Sequence, residues 1–141
     1  MSDAWVFSSI EGTGPEDGYT LAQIIAKADG INHAILTEQE FTRAVPRLLA
    51  AGLIDVMAAA DRYWHTEAGQ AVRRRWTQRG SLFSWGDVIP PALCRLGEPQ
   101  DTAWSLPTGA FDRALQAHLH WAEAARNRRR PQDPETRPSA P

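Results

Sequence analysis

Residues 37–69 read TEQEFTRAVPRLLAAGLIDVMAAADRYWHTEAG, and the order of signals in this stretch decides the fold. Thr37 and Glu40 have the T-x-x-E spacing of a capping box, in which each side chain accepts from the other residue's exposed backbone N–H. Phe41, Ala44, Val45, Leu48 and Leu49 then line one helical face, and Gly52 supplies the left-handed position just past the helix end. A helix over 38–51 follows, despite Pro46. A proline that deep removes one backbone hydrogen bond and crowds the preceding turn, at a cost of ~3 kcal/mol unless the helix bends. The apolar face crosses Pro46 without a change of phase, so one helix is expected, bent there, with the Thr42 carbonyl lacking its regular partner. Ile54 and Val56, then Tyr63 and His65, alternate as strand faces do, around a hairpin tip at 58–61. Thr66 next caps a helix carrying Ala68, Ala71, Val72, Arg75 and Trp76, which Gly80 ends.

Working outward toward the N-terminus, Thr20 caps a helix in which Leu21, Ile24, Ile25 and Ala28 repeat at i, i+3, i+4, i+7, with Asp29-Gly30 as its stop. The stretch 12–18 is rich in Gly, Pro and Asp and reads as a loop. A short first helix is expected over 4–11, N-capped by Asp3 and stopped by Gly12, with Trp5, Val6 and Ile10 on one face. The partly apolar connection 31–36 is expected to pack inward or form a short strand. It is longer than a strict helix-turn-helix turn. In the other direction, 82–96 reads as short helical pieces broken at Pro90-Pro91, and 97–107 as a connection. Thr108 is expected to cap a long helix with Phe111, Leu115, Leu119 and Ala122 on one stripe and Ala114, Trp121 and Ala125 beside it.

With 141 residues the chain is expected to be one domain with a real core. No apolar run approaches the ~20 residues of a membrane span, and no signal peptide is indicated, so a cytoplasmic protein without membrane contact is expected. The single cysteine, Cys94, excludes an internal disulfide framework and a thiolate zinc cluster. The net charge of -2 conceals segregation. Residues 1–61 hold nine carboxylates against Lys27, Arg43 and Arg47, whereas 62–80 hold five arginines against Glu67 alone.

The runs LAQIIAKAD, TEQEFTRAVPRLLAAGLIDV and RYWHTEAG together resemble the bacterial winged helix-turn-helix superfamily, of which MarR-like and PadR-like regulators are members. In that superfamily a recognition helix ends in L-x-x-x-G-L-I and a hairpin leads into L-T-x-x-G. His65 stands where the superfamily has Leu, and Pro46 interrupts the recognition helix. The resemblance implies a mainly α protein: a winged-helix domain with a small β-hairpin wing over 4–78, a C-terminal helical extension over 79–129, and a disordered tail over 130–141.

It also implies a non-enzymatic transcriptional regulator that binds double-stranded DNA, with the exposed face of the helix from Glu38 in the major groove. Gln39, Thr42, Arg43 and Arg47 lie on that face, where Gln pairs with adenine and Arg with guanine. Arg62 on the wing and Arg73, Arg74 and Arg79 on the next helix would contact backbone or minor groove. Solvated polar faces explain the same residues without DNA. The acidic N-terminal half opposes approach to a polyanion, and Glu38 and Glu40 are accounted for by the helix dipole alone. A winged-helix adaptor that binds a protein partner is the alternative reading.

Catalytic chemistry has little support. Cys94, Ser81 and Ser84 have no His nearby in sequence, and His118 and His120 are two apart, which points them in different directions on a helix. Neither a metal nor a cofactor is expected, and His118 reads as a core-edge residue. Trp64, Trp76, Trp85, Trp104 and Trp121 are accounted for by core packing, or by an apolar ligand pocket between domain and extension. The two apolar strips of the last helix suggest a homodimer through Phe111, Leu115, Leu119 and Trp121. Coverage by 82–96 within one chain is the other way to bury them.

Overall fold

A computed structural model describes residues 2–79, 89–98 and 103–130, with the side chains of residues 78 and 79 outside that description. Helix α1, Ser2–Ser9, is lined on all sides by buried residues, among them Trp5, Val6 and Phe7, as expected of a helix at the centre of a fold. Its buried hydroxyls are satisfied locally, Ser9 Oγ donating to the Trp5 carbonyl at 2.7 Å. The expected boundaries 4–11 are therefore shifted, and Asp3 does not cap. It lies within the first turn, drawn instead to Arg47 at 2.8 Å.

Helix α2, Leu21–Asn32, starts where expected, with Thr20 and Gln23 forming a full capping box. Leu21, Ile24, Ile25 and Ala28 are its buried face, and Trp5 Nε1 of α1 donates to the Ala28 carbonyl at 3.0 Å. The helix runs past Asp29-Gly30. His33 takes the left-handed position at φ 50° and its N–H closes onto the Asp29 carbonyl, so Gly30 is not needed as a stop. Residues 33–37 form an irregular connection rather than a strand, with Leu36 fully buried and Ile35 exposed.

Helix α3, Glu38–Ala50, carries the expected capping box of Thr37 with Glu40 and continues unbroken through Pro46. Phe41, Ala44, Val45 and Leu48 are all fully buried. Past Ala51, Gly52 has φ +70°, a region closed to most side chains. Strands β1, Ile54–Met57, and β2, Arg62–His65, pair antiparallel from Ile54 opposite His65 to Met57 opposite Arg62. A 3-10 turn, Ala58–Ala60, followed by Asp61 at φ 51°, makes the tip without glycine. Tyr19 pairs with Tyr63 on the other edge of β2, bonded in both directions at 2.8 and 2.9 Å.

Helix α4, Glu67–Arg79, begins where Thr66 Oγ1 accepts from the Gly69 N–H and donates to the Gly52 carbonyl. A Cβ on Gly69 would lie 1.9 Å from the Leu53 carbonyl oxygen, so only glycine lets α4 press against the strand entrance. Helix α5, Pro91–Cys94, starts at the second proline with Pro90 extended before it, consistent with a break at Pro90-Pro91; the part of 82–96 before Ile89 lies outside the described residues. Helix α6, Ala110–Arg129, packs along α2. Its N-cap is Gly109, in the left-handed region and without a side-chain bond, not Thr108. Gly80, Trp85, the rest of 80–88 and the tail 131–141 lie outside the described residues.

The fold is thus mainly helical with one small two-stranded antiparallel sheet. Phe41 sits where its parts meet, its ring centroid 5.4 Å from Tyr63, 6.0 Å from Trp104 and 6.3 Å from Phe111. Among the described residues no helix is long and apolar enough to cross a membrane.

Candidate nucleic-acid interface

The solvent face of α3 presents Glu38, Gln39, Arg43 and Ala50 as exposed residues. Thr42 is half-buried, and its hydroxyl donates to the Glu38 carbonyl one turn back at 2.8 Å. Arg43 has no ion-pair or hydrogen-bond partner for its side chain among the described residues. Arg47 is different. Its guanidinium meets Asp3 at 2.8 Å and donates to the carbonyls of Leu96 at 2.6 Å and Gly97 at 3.3 Å. The planar fork with its five donors suits this three-way clamp, which ties α3 to α1 and to the segment after α5.

The other arginines divide in the same way. Arg62 donates to the Gly18 carbonyl at 3.0 Å, holding β2 to the loop before α2. Arg73 makes a bidentate pair with Glu11, at 2.5 and 2.6 Å. Arg74 is exposed and its guanidinium is unpaired among the described residues, while the side chain of Arg79 lies outside them. Of the eight residues expected at a DNA surface, Arg47, Arg62 and Arg73 therefore serve internal contacts, and Gln39, Arg43 and Arg74 face solvent.

The hairpin tip adds no cation. Met57 is 43% exposed, and Ala58, Ala59 and Ala60 are exposed beside it. Asp61 turns back, its carboxylate accepting from the Leu21 N–H at the start of α2, where burial raises its pKa more than that bond and Arg62 lower it.

His65 is buried, stacked on Phe7 at 4.4 Å, with Nε2 2.9 Å from the Phe7 carbonyl oxygen. Burial, outweighing that bond, pushes its pKa down to about 4, so the imidazole is neutral at pH 7 and occupies its position as a packed side chain. His118 is buried too, with Nε2 3.0 Å from Asp29 Oδ2 across the seam between α6 and α2. No group of three metal-ligating residues occurs among the described residues. Cys94 is exposed; Ser81 and Ser84 lie outside the description.

The expected dimer strip is split by the fold. Phe111 is buried against Phe41 and Leu115 is half-buried against the same core, because α6 is needed to close the domain over α2 and α3. Only Leu119 and Trp121 of the four remain exposed, at 41% and 52%. Among the described residues Trp76 and Trp104 pack against the core, whereas Trp121 lines a surface cavity with Tyr19 and residues of α2.

Sequence reasoning missed the group formed by Glu11, Lys27 and Arg73. Lys27 Nζ pairs with the same carboxylate that Arg73 grips, and lies 6.0 Å from the centroid of the Tyr19 ring. No local signal announces it, since its members come from the loop after α1, from α2 and from α4. No family model matches the chain, and no curated protein or solved structure shows significant similarity to it.

Proposed function

We propose that this chain is a non-enzymatic protein-interaction module built on a winged-helix plan, with the hairpin tip and the exposed face of α3 as its contact surface. The order of elements supports the plan: a first helix, the Tyr19 bridge, two further helices and a hairpin. The observation that carries the function is the chemistry of the tip. A wing that tracks phosphates needs cations, and here the tip is Met57 and three exposed alanines, with Arg62 bonded to Gly18 and Asp61 turned inward. An exposed apolar tip beside a mixed polar helix matches the apolar centre and polar rim of a protein contact.

The second reading, a DNA-binding regulator, rests on Gln39, Arg43 and Arg74, which are exposed and available for base or phosphate contact. Arg43 has Glu38 and Glu40 on the same helix.

Fluorescence anisotropy with labelled duplexes at low salt separates the two. The adaptor reading expects no saturable binding at micromolar protein. Binding that weakens steeply with salt and is lost in Arg43→Ala overturns it in favour of DNA. A photo-crosslinking residue at position 57 supplies the positive arm. It should form one discrete protein adduct in cells, which Ala59→Glu on the same tip abolishes without loss of fold.

A further inference from the structure

Between α2 and α6 a cavity of about 350 Å³ is lined by Tyr19, Gln23, Ala26, Lys27 and Trp121. It is a shallow depression open to solvent, with room for one or two fused rings laid against its surface. Trp121 contributes an aromatic wall that is 52% exposed, the most exposed large apolar side chain among the described residues. Tyr19 supplies a second ring, and Ala26 is among the lining residues.

The charge beside this cavity is unbalanced. Lys27 and Arg73 share a single carboxylate, Glu11, whose two oxygens are already gripped by the Arg73 fork. Lys27 has three donors, of which the pair with Glu11 accounts for one. The neighbouring carboxylate on α2, Asp29, is occupied by His118 of α6. Burial and the nearby Arg73 lower the pKa of Lys27 to about 8, so the ammonium persists at pH 7 but lacks a full counter-charge.

We propose that this cavity binds a small aromatic monocarboxylate, its ring against Trp121 and Tyr19 and its carboxylate on Lys27. A planar apolar body fits the aromatic walls, and one negative charge completes a cluster that holds two cations against one anion. Gln23 also lines the site; its Oε1 accepts from Thr20, and its Nε2 is the end of the amide that can donate to the second carboxylate oxygen. This site is separate from the hairpin tip and from the exposed face of α3, and it stands whether or not the interaction reading does.

The test uses the full chain labelled with 5-fluorotryptophan, with the Trp121 signal assigned through Trp121→Phe. Titration with 2-naphthoate should move that fluorine signal saturably below about 1 mM. The neutral 2-naphthamide should bind about tenfold more weakly or worse, since a charge-assisted bond is lost. Lys27→Met, checked for folding by circular dichroism, should bind both compounds alike. If it fails to fold, the comparison of naphthoate with naphthamide on the wild-type chain decides. No saturable shift, a shift confined to other tryptophans, or equal affinity for the two compounds overturns the proposal.

Discussion

Helices α3 and α6 present opposite cases of how a helix belongs to a fold. α3 has 13 residues, a capping box at its start and four side chains with no exposed surface. α6 has 20 residues, no side-chain cap at its start, and only Phe111 and His118 buried. Length therefore says little about how much a helix holds the molecule together. What matters is whether its apolar repeat meets partners on more than one side. α3 lies against α1 and β1, whereas α6 touches chiefly α2 along one line. The residues beyond that line, Leu119 and Trp121, are left to solvent, and one of them forms the wall of a cavity.

Substitutions should widen that contrast. The largest effect is expected at Phe41, where α3 meets the rings of Tyr63, Trp104 and Phe111. Phe41→Ala should cost about 3–5 kcal/mol in urea denaturation, through lost burial and the cavity left behind. A cost under about 1 kcal/mol would mean that the core collapses around the site and that Phe41 does not join the parts of the fold.

Next comes the pH dependence carried by His65 on β2, against α1. Its folded pKa of about 4 lies below the unfolded value of 6.5, so between those values the unfolded chain binds the extra proton. Stability contributed by the neutral ring is thus fully present above about pH 6.5 and falls as pH drops toward 4, by up to about 3 kcal/mol. The difference in melting behaviour between wild type and His65→Leu across pH 7 to 4.5 should show this slope. Parallel curves for the two proteins would exclude it.

The cap of α3 is worth less. Thr37→Ala should destabilise by about 1 kcal/mol, because the Glu40 N–H loses its acceptor and the return bond loses its geometry. Thr108→Ala before α6 should have no comparable effect, since Gly109 is the cap there. Equal losses from the two would show that Thr108 serves α6 after all. The smallest change is expected at Leu119→Ala, within about 0.5 kcal/mol, because that side chain is 41% exposed. A larger loss that depends on protein concentration would reveal a second copy covering the strip.

The parts of this protein legible in its sequence are those whose cause is local. Capping boxes at Thr20 and Thr37, the i, i+3, i+4 faces of α2 and α3, the hairpin and the Gly52 turn each depend on residues within a few positions of one another. The misreadings arose where a partner distant in sequence outcompeted a local rule. Asp3 has the chemistry of a cap, but it lies inside the first turn of α1 and pairs with Arg47, 44 positions away. Gly30 is a different case, a local one: the helix ends three residues later, where the His33 N–H closes onto the Asp29 carbonyl. Arg47, Arg62 and Arg73 read as surface cations from sequence because the groups they meet lie far along the chain: Asp3 and the Leu96 and Gly97 carbonyls for Arg47, the Gly18 carbonyl for Arg62, and Glu11 for Arg73. Packing also divided the α6 stripe, taking Phe111 inward and leaving Trp121 outside. The sequence alone determined which segments become helix and hairpin, since backbone propensity and capping act over a turn or two. Only the tertiary structure decided which charges are neutralised and which aromatic faces remain open, because those depend on distances across the core that no spacing along the chain encodes.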